Sequence, residues 1–104
     1  MKVSAVVISH GHADELARSL PALAPQVDEL LVIANVPGSL PAELPDGARV
    51  LENGVPLSFA ANANLGAAHT VYELVLIANP DAVPEPDAVD VLRAFMESRP
   101  RCGV

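Results

Sequence analysis

An apolar run that stops abruptly at Asn79-Pro80-Asp81 constrains this chain more than any other stretch. Tyr72-Glu73-Leu74-Val75-Leu76-Ile77-Ala78 reads as a strand buried on both faces, and its end places one carboxylate at the carboxyl edge of a sheet. Proline has no backbone N–H and pushes the residue before it towards extended geometry, so Asn79-Pro80 ends the strand sharply and fixes where Asp81 points. Open α/β sheets bind ligands along that edge. An Asp in such a place can equally well only start a turn, so its meaning depends on what the chain brings beside it.

Upstream, Val3-Ser4-Ala5-Val6-Val7-Ile8 is a β-branched run suited to a buried first strand, and it ends in the polar loop Ser9-His10-Gly11-His12. Asp14 and Glu15 put negative charge in the first turn of a helix whose apolar positions Leu16, Leu20, Leu23 and Val27 fall near helical spacing, with Pro21 and Pro25 kinking or stopping it. Glu29 to Asn35 reads as a second buried strand. Val36 to Gly47, with three prolines and two glycines, reads as a loop. Arg49 to Asn53 is a short third strand. Ser58 is a plausible N-cap for a helix over 59–68, whose small first residues let a ligand or a strand approach its backbone, where free N–H groups favour an anion. After Asp81, Pro84 to Asp87 leads into a helix with Ala88, Val91, Leu92, Phe95 and Met96 on one face. Arg99-Pro100 ends it, and Cys102-Gly103-Val104 reads as the start of another strand.

Strands alternating with helices imply an α/β fold, a Rossmann-like, mainly parallel sheet with helices on both faces. The 104 residues, 51% of them apolar, make one domain with a real core, and with two Phe, one Tyr and no Trp that core is built from Ala, Val and Leu. The formal charge of -7 and only six scattered Lys and Arg argue against a duplex DNA or RNA partner, whose binding rests largely on phosphate neutralisation, and no nucleic-acid partner is expected. A small anion is not excluded, because a helix N-terminus or a bound cation supplies a local positive field. Cys102, the one cysteine, can form no intrachain disulfide, and the apolar run from Val3 to Ile8 is too short for a signal peptide or membrane span; the expectation is a cytoplasmic protein without a transmembrane segment.

His10 and His12, with His69, suggest a metal triad, but two histidines flanking a glycine are a weak metal signature against solvent-facing or ribose-stacking rings. Ser9 and Ser58 have no partner base in view and read as a strand end and a cap.

Together, Val3 to Ser9, the Glu52-Asn53 strand end, Ser58 to Gly66, and Leu74 to Asp81 followed by Pro86-Asp87-Ala88 resemble the N-terminal half of family 2 glycosyltransferases, closest to the rhamnosyltransferase-like branch that builds cell-surface polysaccharide. The resemblance covers nearly the whole chain. It implies the GT-A fold, here in part, and a pocket for a nucleotide diphosphate sugar. Ser9, His10, Gly11 and His12 would lie near the base and ribose. Asn35 stands where the family usually has a base-recognising Asp, and Asn62 and Asn64 would lie on the helix facing the sugar nucleotide. Asp81 matches the last acid of the family's Asp-x-Asp motif, with Asn79 in place of the first. A divalent cation held by Asp81 would stabilise charge on the departing diphosphate, and one carboxylate suffices when ligand phosphates complete the shell, so Mg²⁺ or Mn²⁺ is expected only with bound nucleotide.

The family's general base and acceptor surface lie after the stretch that this chain matches, so these residues alone are expected to bind rather than transfer. An open sheet edge would also favour a homodimer. The contrasting reading is a non-catalytic α/β interaction module that self-associates through that edge.

Overall fold

The computed structural model describes residues 2–98; the readings made for Arg99-Pro100, Cys102 and the strand stub lie outside the described residues. Four parallel strands, β1 (Val3–Ser9), β2 (Glu29–Ala34), β3 (Arg49–Glu52) and β4 (Leu74–Ala78), form one sheet in the order β3-β2-β1-β4. Two helices connect strands, α1 (Ala13–Leu23) between β1 and β2 and α2 (Phe59–Ala68) between β3 and β4, while a loop joins β2 to β3 and α3 (Ala88–Ser98) follows β4. This is the α/β, Rossmann-like arrangement expected of the alternating pattern.

The two faces of β1 divide the core by the strand's period of two. Val3, Ala5 and Val7 pack with Leu16, Leu20 and Leu23 of α1 and Val89 of α3, while Val6 and Ile8 pack with Leu31, Ile33 and Ala63 of α2. Helices therefore cover both faces. All seven residues of β1 are buried, as a central parallel strand requires.

The 74–78 strand differs from its expected burial on both faces. Every residue of β4 is only half-buried, because β4 is an edge strand paired with β1 alone among the described residues. An apolar run cannot by itself distinguish a central strand from an edge strand whose second side is open. The expected apolar face of α3 is likewise thinly covered: Val89 is buried, whereas Val91, Leu92 and Phe95 are exposed. Gln26 seats only the start of this helix, its Oε1 accepting from Val89 N at 3.1 Å and its Nε2 donating to Glu85 O at 2.8 Å.

α1 ends at Leu23 with Pro21 inside its last turn, and Pro25 turns the chain into a short 3-10 segment, Ala24–Gln26. Val27 is extended and outside the helix, so its helical spacing was fortuitous. Ser58 caps α2 as expected, accepting from Ala61 N at 3.1 Å. α2 lies close to the sheet because Gly66 faces Val6 and Ile33: a Cβ at that position would stand 2.5 Å from Val6 Cγ1. Among the described residues, no helix is long and apolar enough to cross a membrane.

Candidate functional site

The chain runs from β1 to β2 to β3 on one side and then crosses to β4 on the other, so its direction reverses between β1 and β4. Loops leaving adjacent strands in opposite directions open a crevice at their carboxyl ends. A cleft of about 450 Å³ lies there, bounded by Ile8, His10 and His12 after β1, by Asn79, Pro80 and Asp81 after β4, and by Leu57, Phe59 and Asn62 at the start of α2, with Asn35 after β2.

The acid is held by a built turn. Ala82 N donates to Asn79 O at 3.1 Å, closing a β-turn with Pro80 at its second position, where a fixed φ is favoured. Ser19 of α1, itself buried, donates from Oγ to Pro80 O at 2.7 Å and ties this turn to the core. Asp81 is exposed at the rim of the cleft.

The first loop is stitched through Ser39. Ser9 Oγ donates to Ser39 O at 2.7 Å, Gly11 N donates to Ser39 Oγ at 2.9 Å, and Ser39 Oγ donates to Val36 O at 2.6 Å. Gly11 has φ of 82°, a left-handed conformation that a side chain would strain. His10 N donates to His12 Nδ1 at 3.0 Å across this glycine. Ser9 is wholly buried and Gly11 is exposed; both shape the loop, and neither borders the cleft.

Two asparagines of the cleft, Asn35 and Asn62, are joined through a third, Asn53, that does not itself border it. Asn53 Nδ2 donates to Asn35 Oδ1 at 2.8 Å and to Asn62 Oδ1 at 2.7 Å. Asn35 Oδ1 also accepts from Leu57 N at 2.8 Å, and Asn35 Nδ2 donates to Leu57 O at 3.0 Å and faces His10 Nδ1 at 3.0 Å. All four hydrogen-bonding positions of the Asn35 carboxamide are thus occupied within the chain. Asn62, with no exposed surface, also donates to Leu57 O at 3.3 Å. The network pins the irregular segment between β3 and α2 in place.

Of the nine residues singled out from the sequence, His10, His12, Asn35, Asn62, Asn79 and Asp81 border this one cleft. Asn64 does not. It is exposed, because two residues on a helix are about 200° apart and Asn62 already faces the sheet. Sequence reading took Asn53 only as a strand end and passed over Ser39 and Phe59. The exposed Phe59 ring at the cleft could have been suspected from an aromatic directly after a cap in a chain so poor in aromatics.

For a divalent cation the donor set is small. Among the described residues, no group of three or more His, Cys, Asp and Glu gathers as a metal site. One exposed carboxylate fits a Mg²⁺ or Mn²⁺ ion that takes most of its shell from ligand phosphates and water, and does not fit an ion held by protein alone.

A search of solved structures matches this fold to S. aureus TarS 1-349, a family 2 glycosyltransferase, with a TM-score of 0.74 over 94% of this chain at 16% sequence identity. The match spans 33% of the TarS chain. No protein-family model and no curated protein sequence matches. Likeness at this identity is one of fold, and the chain has a glycosyltransferase-like α/β fold.

Proposed function

We propose that this chain is the donor-binding part of a glycosyltransferase and that its cleft takes a nucleotide diphosphate sugar, of the kind used to build cell-surface polysaccharide. The observation that carries the reading is the meeting of Asp81, Asn79 and the first turn of α2 on one cleft at the strand reversal point. The fold likeness to TarS supports it. Asp81 would hold Mg²⁺ or Mn²⁺ against the diphosphate; such an ion, when bound, neutralises charge on the leaving group. The exposed faces of Leu57 and Phe59 offer the base or sugar an apolar wall, and Phe59 a stacking surface. Transfer would further require a base at the acceptor hydroxyl, a role given to none of these cleft residues.

Titrating UDP and dTDP in the presence of Mg²⁺ or Mn²⁺, by calorimetry or thermal shift, tests this. Saturable, metal-dependent binding that disappears in Asp81→Ala is expected. No binding of either nucleotide with either ion would end the reading.

A second reading is favoured by a separate feature. An apolar groove of about 490 Å³ runs between α3 and the edge strand β4, bounded by Val3, Leu74, Leu76, Val89, Leu92 and Met96. A non-catalytic interaction module would use this face and the β4 edge, unpaired among the described residues, to form a homodimer. Sedimentation would then show a dimer lost on Leu92→Asp, with no nucleotide effect on melting temperature.

A further inference from the structure

Two histidines border the cleft, and the hydrogen bonds at their Nδ1 atoms decide which ring nitrogen carries a proton. Asn35 determines the first. Leu57 N–H can only donate and Leu57 C=O can only accept, so their bonds to Asn35 Oδ1 and Nδ2 allow one orientation of the carboxamide. The second Nδ2–H then points at His10 Nδ1, 3.0 Å away. An amide nitrogen does not accept hydrogen bonds, so Nδ1 must accept and neutral His10 carries its proton on Nε2. His12 is fixed by a backbone group, because its Nδ1 accepts from His10 N–H at 3.0 Å. His69, away from the cleft, is the opposite case: its Nδ1 lies 2.8 Å from Leu65 O, which only accepts, so the proton is on Nδ1.

We infer that His10 and His12 are a pair of Nε2–H donors that read oxygen acceptors on the ligand, with Asn35 as the positioning residue that sets the His10 tautomer. Both residues border the cleft, and neither Nε2 has a partner among the described residues. Asn35 has no hydrogen-bonding capacity left for a ligand, so discrimination at this end of the cleft passes from residue 35 to the ring in front of it. Coordination of a cation at either Nε2 would need the proton moved to Nδ1, against a fixed N–H donor; the pair therefore recognises oxygen lone pairs rather than a metal. Within the sugar-nucleotide reading, on which the identity of the ligand rests, those oxygens belong either to the diphosphate or to the nucleoside.

Long-range ¹H–¹⁵N correlation spectra of the histidine-labelled chain test this, since they report the protonated nitrogen of each of its three histidines. In the free chain His10 and His12 are expected to be Nε2–H and His69 Nδ1–H. UDP with Mg²⁺ shifts the His10 and His12 Nε2–H signals and leaves the His69 Nδ1–H signal in place. Inorganic pyrophosphate and uridine, added separately, tell which part of the ligand supplies the oxygen, and a shift with either supports the inference. His10→Leu lowers UDP affinity about tenfold, the worth of one well-placed hydrogen bond, whereas His10→Gln, which puts an amide N–H near the Nε2 position, keeps most of it. Asn35→Asp offers His10 Nδ1 an acceptor and reverses its tautomer; if that variant does not fold, the exposed His10 substitutions carry the test. Protonation of His10 or His12 at Nδ1 in the free chain overturns the inference. So does the absence of any shift with all three probes, or wild-type UDP affinity in His10→Leu. Failure of the sugar-nucleotide reading looks different: pyrophosphate moves the two signals while UDP does not.

Discussion

Gly66→Ala is the sharpest test of how α2 is held against the sheet, because the substitution is conservative in the helix and severe in the core. Alanine at a helical interior position is worth about 1 kcal/mol over glycine. Against that gain, the new Cβ would stand 2.5 Å from Val6 Cγ1, 3.1 Å from Val6 Cγ2 and 3.3 Å from Ile33 Cδ1. Carbon atoms rest at roughly 3.5–4.0 Å, so the first contact must open by about 1 Å or more. Val6 cannot give way: it is wholly buried on the central strand, paired in register with Leu31 on one side and Ile77 on the other, and its branched Cβ restricts χ1. α2 must therefore lift. Overpacking of this kind costs about 1–3 kcal/mol, and the depth of overlap puts Gly66 at the upper end, which leaves a net loss of about 2 kcal/mol. For a domain of this size that is a fall in Tm of roughly 8–16 °C. Thermal unfolding followed by circular dichroism, with urea titration for ΔG, measures it. Gly54→Ala is the control, since a Cβ there meets no atom within 4 Å. A Gly66→Ala protein as stable as wild type would show that α2 does not lie where its contact with Val6 requires.

Ser19→Ala removes the bond to Pro80 O and frees the turn that carries Asp81; the expected result is a stability loss of about 1 kcal/mol with a larger fall in metal-dependent UDP affinity, read by urea titration and calorimetry. Asn62→Leu deletes the carboxamide but keeps its bulk, leaving one Asn53 N–H without its acceptor while Leu57 O keeps only its bond from Asn35, and costs about 1–3 kcal/mol by urea titration. Burial alone would raise the Glu29 carboxyl, but bonds from Ser4 Oγ, Val71 N and Arg49 outweigh it and hold its pKa below the ordinary value. A depressed folded-state pKa gives stability that is present above the unfolded-state value and is lost as pH falls through the folded one, so urea unfolding from pH 6 downward should show an acid-side loss that is shallower in Glu29→Gln.

The strand and helix succession was legible because periodicity, caps and prolines report local physics. Ser58 starts α2 and Pro25 ends α1 for reasons contained within a few residues. Strand order was not legible. Nothing in Leu74-Val75-Leu76-Ile77-Ala78 says that β1, rather than this strand, takes the centre, since both are continuous apolar runs and only the crossovers choose between them. Five of the six cleft residues that could be named in advance, all but Asn62 on α2, lie just after strands, where the sheet's carboxyl edge fixes their place. Those that were missed act through side chains distant in sequence: Ser39 clasps the loop at Ser9 to His12 across 28 to 30 positions, and Asn53 joins two asparagines 18 and 9 positions away. Asn64 shows the reverse error. It was carried over together with Asn62 from the family resemblance, although helical geometry alone puts the two on opposite sides.

The asparagine network beside the cleft gives the clearest sign of how labour is divided in this fold. Three asparagines bonded to each other and to Leu57 are a costly way to fill space, since an incompletely satisfied buried polar network is less stable than an apolar one. Here their carboxamides are bonded, and the gain is a fixed path for the segment between β3 and α2, which has no sheet or helix ladder of its own. Spending these groups on the scaffold removes them from recognition. What is left facing the cleft with unused hydrogen-bonding capacity is the outer ring: the Nε2–H groups of His10 and His12, Asn79, and the carboxylate of Asp81. Donors stand on the β1 side and an acid on the β4 side, on either side of the reversal point. A ligand rich in oxygen acceptors and carrying a cation at one end satisfies both sides at once, and a neutral apolar ligand satisfies neither.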